Sequence, residues 1–219
     1  MNTLTPGSHV CLLYRDAVEQ KAAVLPFVRD GLNNNEQVVY VADEQLPDEW
    51  YFEFQAYGID VESERNTRRL IVCSGERWRT QEAFSSIRNA RSTWNMIEES
   101  LGTFRGIRFV VDAGWMLDPP VPDDLVCHWE ATLNVVVDGG IDAMVMCQYN
   151  MARHSSAAVH SALRTHPVVY IGQELRTNPY FEAPKILENE PFLNHSMAEP
   201  GQVEGMLIAL AQAEPLSAP

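Results

Sequence analysis

Six stretches of this chain are almost continuously apolar and β-branched, and each ends at a turn or polar residue. They are His9-Val10-Cys11-Leu12-Leu13-Tyr14, Gln37-Val38-Val39-Tyr40-Val41-Ala42, Leu70-Ile71-Val72-Cys73, Ile107-Arg108-Phe109-Val110-Val111, Ala143-Met144-Val145-Met146-Cys147-Gln148-Tyr149 and Val168-Val169-Tyr170-Ile171. Runs of this kind read as short strands buried on both faces, as in a parallel sheet covered by helices. The intervening segments have helical period instead. Val18, Ala22, Leu25, Val28 and Leu32 recur every three or four residues, with Pro26 placed to kink or split that helix. Pro47 opens a helix over 47–57 carrying Trp50, Phe54 and Tyr57. Residues 80–104 predict the longest helix, with Phe84, Ile87, Arg91, Trp94, Ile97 and Leu101 on one face and Arg91 either snorkelling or paired. Two more helices are predicted over 123–137 and 155–165, the latter capped by Ser155 or Ser156.

Strand and helix alternate throughout, so the pattern predicts one α/β domain with a mainly parallel central sheet and helices on both faces. It covers roughly residues 5–184. The character then changes: residues 186–219 hold five Glu, four Pro and no Lys or Arg. This reads as an acidic C-terminal tail over 185–219. Val203, Met206, Leu207, Leu210 and Ala211 within it fit one short amphipathic helix, which would fold only when docked onto the domain or a partner.

Composition narrows the function. Lys and Arg number 16 against 30 Asp and Glu, for a net charge of −14. No basic cluster is present to displace the counterions of a nucleic acid or to meet an anionic membrane, so direct contact with either is not expected. No apolar run approaches the roughly 20 residues of a membrane span, and residues 1–7 lack the pattern of a secretory signal, so the expected location is the cytoplasm. The four cysteines are scattered without a CxxC pair, which predicts buried free thiols.

Chemistry in an open parallel sheet sits beyond the carboxyl ends of the strands. Those ends are Tyr14-Arg15-Asp16, Asp43-Glu44, Ser74-Gly75-Glu76, Asp112-Ala113-Gly114-Trp115 and Gln148-Tyr149-Asn150. The turn after the first strand has no glycine, no lysine and two acids, so it cannot cradle a triphosphate. Asp112 resembles the metal-supporting acid of nucleotide hydrolases, and residual nucleotide chemistry would rest on it alone. There is no Gly-x-Ser-x-Gly, and Cys127 and His128 point about 100° apart on a helix, so no catalytic residue is assigned. His154, His160 and His166 are spaced by six and do not stack on one helical face, so neither a metal site nor a cofactor is read. What remains is a small-molecule pocket of aromatic and polar groups: His9, Tyr14, Asp112, Trp115, Gln148, Tyr149 and His166. Tyr14, Trp115 and Tyr149 are expected to converge at the sheet's carboxyl edge; the alternative places Trp115 and Tyr149 in the core.

Six segments in order carry a resemblance: Gly7-Ser8-His9-Val10-Cys11-Leu12-Leu13-Tyr14, Pro26-Phe27-Val28-Arg29-Asp30-Gly31-Leu32, Glu36-Gln37-Val38-Val39-Tyr40-Val41-Ala42-Asp43, Cys147-Gln148-Tyr149-Asn150, Leu163-Arg164-Thr165-His166-Pro167 and Asn178-Pro179-Tyr180-Phe181. Together they resemble the MEDS domain, the methanogen/methylotroph sensory domain also found in the dichloromethane-responsive repressor. The resemblance implies a RecA/KaiC-like fold without a phosphate loop and a role in signal transduction and transcription regulation. It also implies small hydrocarbon derivatives as ligands. Relatives are often joined to helix-turn-helix or histidine-kinase modules; none is read here, so output is expected through a regulatory partner in trans or through homo-oligomerisation. The competing expectation is a protein–protein interaction module that kept the fold and binds nothing small.

Overall fold

The computed structural model describes residues 4–43, 47–75, 86–118, 120–138, 141–183 and 200–216. Glu44, Glu76 and Phe84 lie outside these. Seven strands form one sheet: β1 (His9–Tyr14), β2 (Gln37–Ala42), β3 (Leu70–Ser74), β4 (Ile107–Asp112), β5 (Ala143–Asn150), β6 (Val168–Ile171) and β7 (Glu174–Thr177). Their order is β3-β2-β4-β5-β1-β6-β7, so the first, fourth and fifth strands are neighbours at the centre. All pairings are parallel except β6 with β7. The apolar runs lie where the sequence pattern places them, with β3, β4 and β5 each extending one residue further, because two-sided burial leaves a strand no polar face to misplace.

The helices are α1 (Ala17–Asn33), α2 (Pro47–Ala56), α3 (Val61–Asn66), α4 (Ser86–Leu101), α5 (Asp123–Val137), α6 (Ser156–Thr165) and α7 (Pro200–Gln212). The pleat sorts the core into two. Cys11, Leu13, Val111, Cys147 and Tyr149 point to one face, where α4, α5, α6 and α7 supply Ile97, Leu133, Val159 and Leu210. Val10, Leu12, Tyr14, Val110 and Met146 point to the other, where α1 and α2 supply Phe27, Val28 and Phe54.

Several expectations are corrected. Pro26 does not split α1, which runs unbroken for 17 residues. Ala23, Val24, Phe27 and Val28 anchor the turns on both sides of the proline in the core. Val18 is 75% exposed and Ala22 is exposed, so the buried face is rotated toward Gln20, Ala23, Val24 and Phe27. Among the described side chains of α4, which do not include Ile87, the buried ones are Asn89, Ala90, Thr93, Ile97 and Ser100, while Arg91, Trp94 and Leu101 are exposed. Thr93 can be buried because its hydroxyl donates to the Asn89 carbonyl of its own helix, at 3.0 Å. Among the described residues, three elements are additional: α3, a 3₁₀ turn over Ala113–Met116, and β7. Gly172 and Gln173 both have positive φ, the conformation that folds β7 back on β6 in a two-residue hairpin.

Within 185–219 the described part is 200–216. The predicted helix exists as α7 and packs on α6 in the same chain, with Val203, Met206 and Leu210 buried. The backbone of Leu216 continues the contact by donating to the Leu175 carbonyl at 2.8 Å. Leu210→Ala should therefore cost about 2 kcal/mol in denaturant unfolding, the low end for a buried leucine because a terminal helix can settle into the gap. An unchanged midpoint would mean that α7 does not stabilise the domain.

Candidate functional site

Chain connectivity marks one place on the carboxyl edge. After β1 the chain leaves to α1 on one face; after the neighbouring β5 it leaves to α6 on the other. Such a switch point opens a crevice between the two strand ends. A phosphate site there would use the free amides that open α1, but they are taken. Asp16 Oδ1 accepts from the amides of Val18 and Glu19 at 2.9 and 3.0 Å, and Glu19 Oε2 accepts from the Arg15 amide at 2.8 Å. Two carboxylates thus stand where an anion would bind.

Under this edge, on the α1 face, lies a buried polar network. Gln20 reaches from α1 and its Nε2 donates to Asp112 Oδ2 at 3.1 Å and to Gln148 Oε1 at 2.8 Å. Gln148 Nε2 reaches the Tyr40 hydroxyl at 3.4 Å, and Asp112 Oδ1 accepts from the Gly114 amide at 2.9 Å. Burial, reinforced by Asp112, pushes the Tyr14 hydroxyl well above its ordinary range. Burial likewise raises the Asp112 carboxyl from 3.8 to about 6, against the opposing hydrogen bond from Gly114 and with Asp43 adding repulsion. Beside these groups Arg153 Nη1 pairs with Asp43 Oδ2 at 2.5 Å. Gly114 leaves room for that pair: a Cβ there would stand 2.5 Å from Asp43 Oδ2 and 2.9 Å from Arg153 Nη1.

The raised Asp112 carboxyl has a signed consequence. Between pH 3.8 and about 6 the folded protein holds a proton that the unfolded chain releases, so stability falls as pH rises through that window and is flat above it. Asn cannot ionise. The stability of Asp112→Asn relative to the native chain should grow by about 2 kcal/mol from pH 4 to pH 7. Urea titrations at both pH values measure it, and a constant difference would show that Asp112 is not a strained acid.

The α5–α6 face holds a second polar cluster. Glu130, in the middle of α5 and 1% exposed, accepts a hydrogen bond from the Tyr149 hydroxyl at 2.5 Å through Oε1. Its Oε2 lies 3.2 Å from His9 Nε2 and 3.5 Å from His166 Nε2, and the Cys147 thiol donates to it at 3.3 Å. The two imidazoles stack with centroids 4.0 Å apart. Burial and neighbouring His9 push His166 down to about 3, so its ring is neutral at physiological pH. Burial would raise the Glu130 carboxyl, but His166, His9 and the Tyr149 hydroxyl outweigh it and lower it. Burial beside Glu130 raises the Cys147 thiol well above its usual range.

The seven residues singled out from sequence therefore divide. Tyr14, Asp112 and Gln148 share the α1 face; His9, Trp115, Tyr149 and His166 share the other. The expected convergence of Tyr14 with Trp115 and Tyr149 is corrected, because register sets Leu13 beside Tyr149 and Tyr14 beside Asn150. Tyr14 and Tyr149 are thereby one residue out of step and the pleat sends them apart. Trp115 lies edge-on to Trp129 at 6.5 Å, closed off by Gly75, where a Cβ would come within 2.2 Å of the ring. A gap beside it, lined by Thr93, Phe109, Trp129 and Leu133 among others, is about 10 Å³. That holds at most one water. Sequence reading missed Gln20, Tyr40, Glu130 and Arg153. Glu130 and Asn134 did carry a signal: each is a polar residue on the apolar face of α5.

The frame is thus a parallel α/β domain whose phosphate-binding position is closed by its own carboxylates. Residues 8–167 match the model of the MEDS family, the methanogen/methylotroph, DcmR sensory domain, and the chain belongs to this family of sensory domains. A search of curated proteins finds no match to the chain. No described helix is long and apolar enough to cross a membrane.

Proposed function

We propose that this chain is a non-enzymatic sensory unit that binds a small molecule at the β1/β5 edge and signals to a regulatory partner in trans. The observation that carries the reading is the buried network of Tyr14, Gln20, Asp112 and Gln148 beside the Asp43–Arg153 ion pair at a topological switch point. The carboxylates around it repel anions and favour a neutral or cationic polar metabolite. Such a ligand would compete with Arg153 for Asp43. Arg153 lies three residues before α6, on which α7 packs, so displacement of Arg153 biases the α6–α7 surface that a partner reads.

A thermal-shift screen of small alcohols, amides, amines and halogenated methanes tests this. A dedicated ligand at 100 times its Kd adds about 2.7 kcal/mol. Gly114→Ala, which crowds the ion pair, should abolish the response in a protein that still folds. Stabilisation unaffected by Gly114→Ala would place binding elsewhere.

A pure interaction module is the second reading, favoured by the sealed surroundings of Trp115 and by an open groove elsewhere. That groove, about 630 Å³ between α2 and α3, is lined by Tyr51, Phe52, Ile59 and Arg65. Phe52 there is 71% exposed. This reading predicts partner binding lost in Phe52→Ser with no response to any compound in the screen.

A further inference from the structure

We infer that His9, Glu130, Cys147 and His166 form a closed tetrahedral site for one divalent transition-metal ion of the zinc type. The site lies on the α5–α6 face and does not rest on the crevice reading. Its four ligand atoms are His9 Nε2, Glu130 Oε2, Cys147 Sγ and His166 Nε2, all within 4.8 Å of one another. Four of the six edges are known: 3.2 Å between His9 and Glu130, 3.5 Å between His166 and Glu130, 3.6 Å between Cys147 and His9, and 3.3 Å between Cys147 and Glu130. Zinc bonds of about 2.0–2.1 Å to nitrogen or oxygen and 2.3 Å to sulfur give tetrahedral edges of roughly 3.3–3.6 Å. Along these four edges the side chains already stand at ligand spacing.

The hydrogen bonds behind the ligands settle which atoms face inward. Asn134 Nδ2 donates to the carbonyls of Thr165 and Glu130 at 2.7 and 3.2 Å, so its Oδ1 is the atom facing His9. His9 Nδ1, 3.1 Å from that oxygen, must therefore carry the ring proton. His166 Nδ1 lies 2.7 Å from the Ala162 carbonyl, which imposes the same tautomer. In their neutral forms both rings present a bare Nε2 to the carboxylate. The centre then holds three acceptors and a single donor, the Cys147 thiol. His166 Nε2, fully buried, has no hydrogen-bond partner there. A sealed surplus of lone pairs is costly unless a cation fills it.

A divalent ion balances the site. Two charges on the metal meet one on Glu130 and one on the Cys147 thiolate, whose proton leaves as the metal binds, and the centre becomes neutral. The supporting shell is complete: Asn134 orients His9, the Ala162 carbonyl orients His166, and the Tyr149 hydroxyl holds the free oxygen of Glu130. Mixed imidazole, carboxylate and thiolate donors in a tetrahedron select zinc over magnesium or calcium. All four ligands are buried and no position is open, so the ion is structural: it ties β1 and β5 to α5 and α6. It enters as the domain folds.

The full chain should be expressed in medium supplemented with zinc or, separately, cobalt, then purified without chelator. Expected are about one zinc per chain by elemental analysis and, in the cobalt form, a thiolate-to-metal charge-transfer band with the strong visible absorption of a tetrahedral site. Cys147→Ser should abolish the charge-transfer band, whereas Cys73→Ser should leave it. Tyr149→Phe should weaken zinc binding roughly 10–100-fold, read by competition with a chromophoric chelator. Should Cys147→Ser lose its circular dichroism, the native cobalt spectrum and the Tyr149→Phe titration decide the matter. Folded native protein carrying less than about a tenth of an ion per chain would overturn the site and leave a proton-held network in its place. A band that survives Cys147→Ser but not Cys73→Ser would overturn it as well.

Discussion

Trp115→Ala should lower unfolding stability by about 3–5 kcal/mol, with or without any small molecule present. The indole is 1% exposed, packs edge-on to Trp129 and is closed off by the backbone of Gly75. Truncation leaves a cavity that the sheet cannot close, because Phe109, Val111 and Val145 line the same space from rigid strands. Urea unfolding followed by tryptophan fluorescence and circular dichroism measures it. A loss under 1 kcal/mol would mean that the ring can leave the core, and would restore it as a pocket wall.

Comparable in size is the effect of Arg108→Met at the opposite edge of the sheet. Arg108, the second residue of β4, faces α1, and its side chain is 6% exposed. Its guanidinium pairs with Glu36, donates to the Phe27 carbonyl at 3.0 Å and lies 4.7 Å from the centre of the Phe27 ring. Gly31 admits it, since a Cβ there would stand 2.8 Å from Arg108 Cδ. Removing the cation strands a carboxylate that keeps only 12% of its side-chain exposure, at a cost of about 3 kcal/mol or more. Replacing both, as Arg108→Met with Glu36→Leu, should recover most of that loss, because the apolar pair avoids desolvating two charges. A double variant no more stable than the single one would show that the pair contributes beyond cancelling its own burial cost.

The strands, the helical segments between them and the missing phosphate cradle were all legible in the sequence. Each depends on neighbours in the chain: a run such as Val38-Val39-Tyr40-Val41 has the pattern of a buried strand, and after β1 the carboxylates of Asp16 and Glu19 take up the amides a phosphate would need. The same holds for the docking face of α7, where Val203, Met206 and Leu210 repeat at helical spacing. Helix faces were less secure. On α1 and α4 the apolar stripe and the buried stripe differ, because the sheet decides which side of a helix meets it and can bury Gln20 or Thr93 when a partner is in place.

The grouping of the site residues was decided by tertiary structure alone. Tyr14 and Tyr149 both sit near strand ends, yet a register of Leu13 beside Tyr149 sends them to opposite faces. No local pattern encodes that register; it follows from how β1 docks between β5 and β6. The cluster of His9, Glu130, Cys147 and His166 is an extreme case. Its members come from β1, α5, β5 and the end of α6, and the nearest two in sequence are 17 residues apart. Spacing rules find ligands that share a turn or a helix face, whereas these four meet only because α5 and α6 pack side by side over the β1–β5 pair.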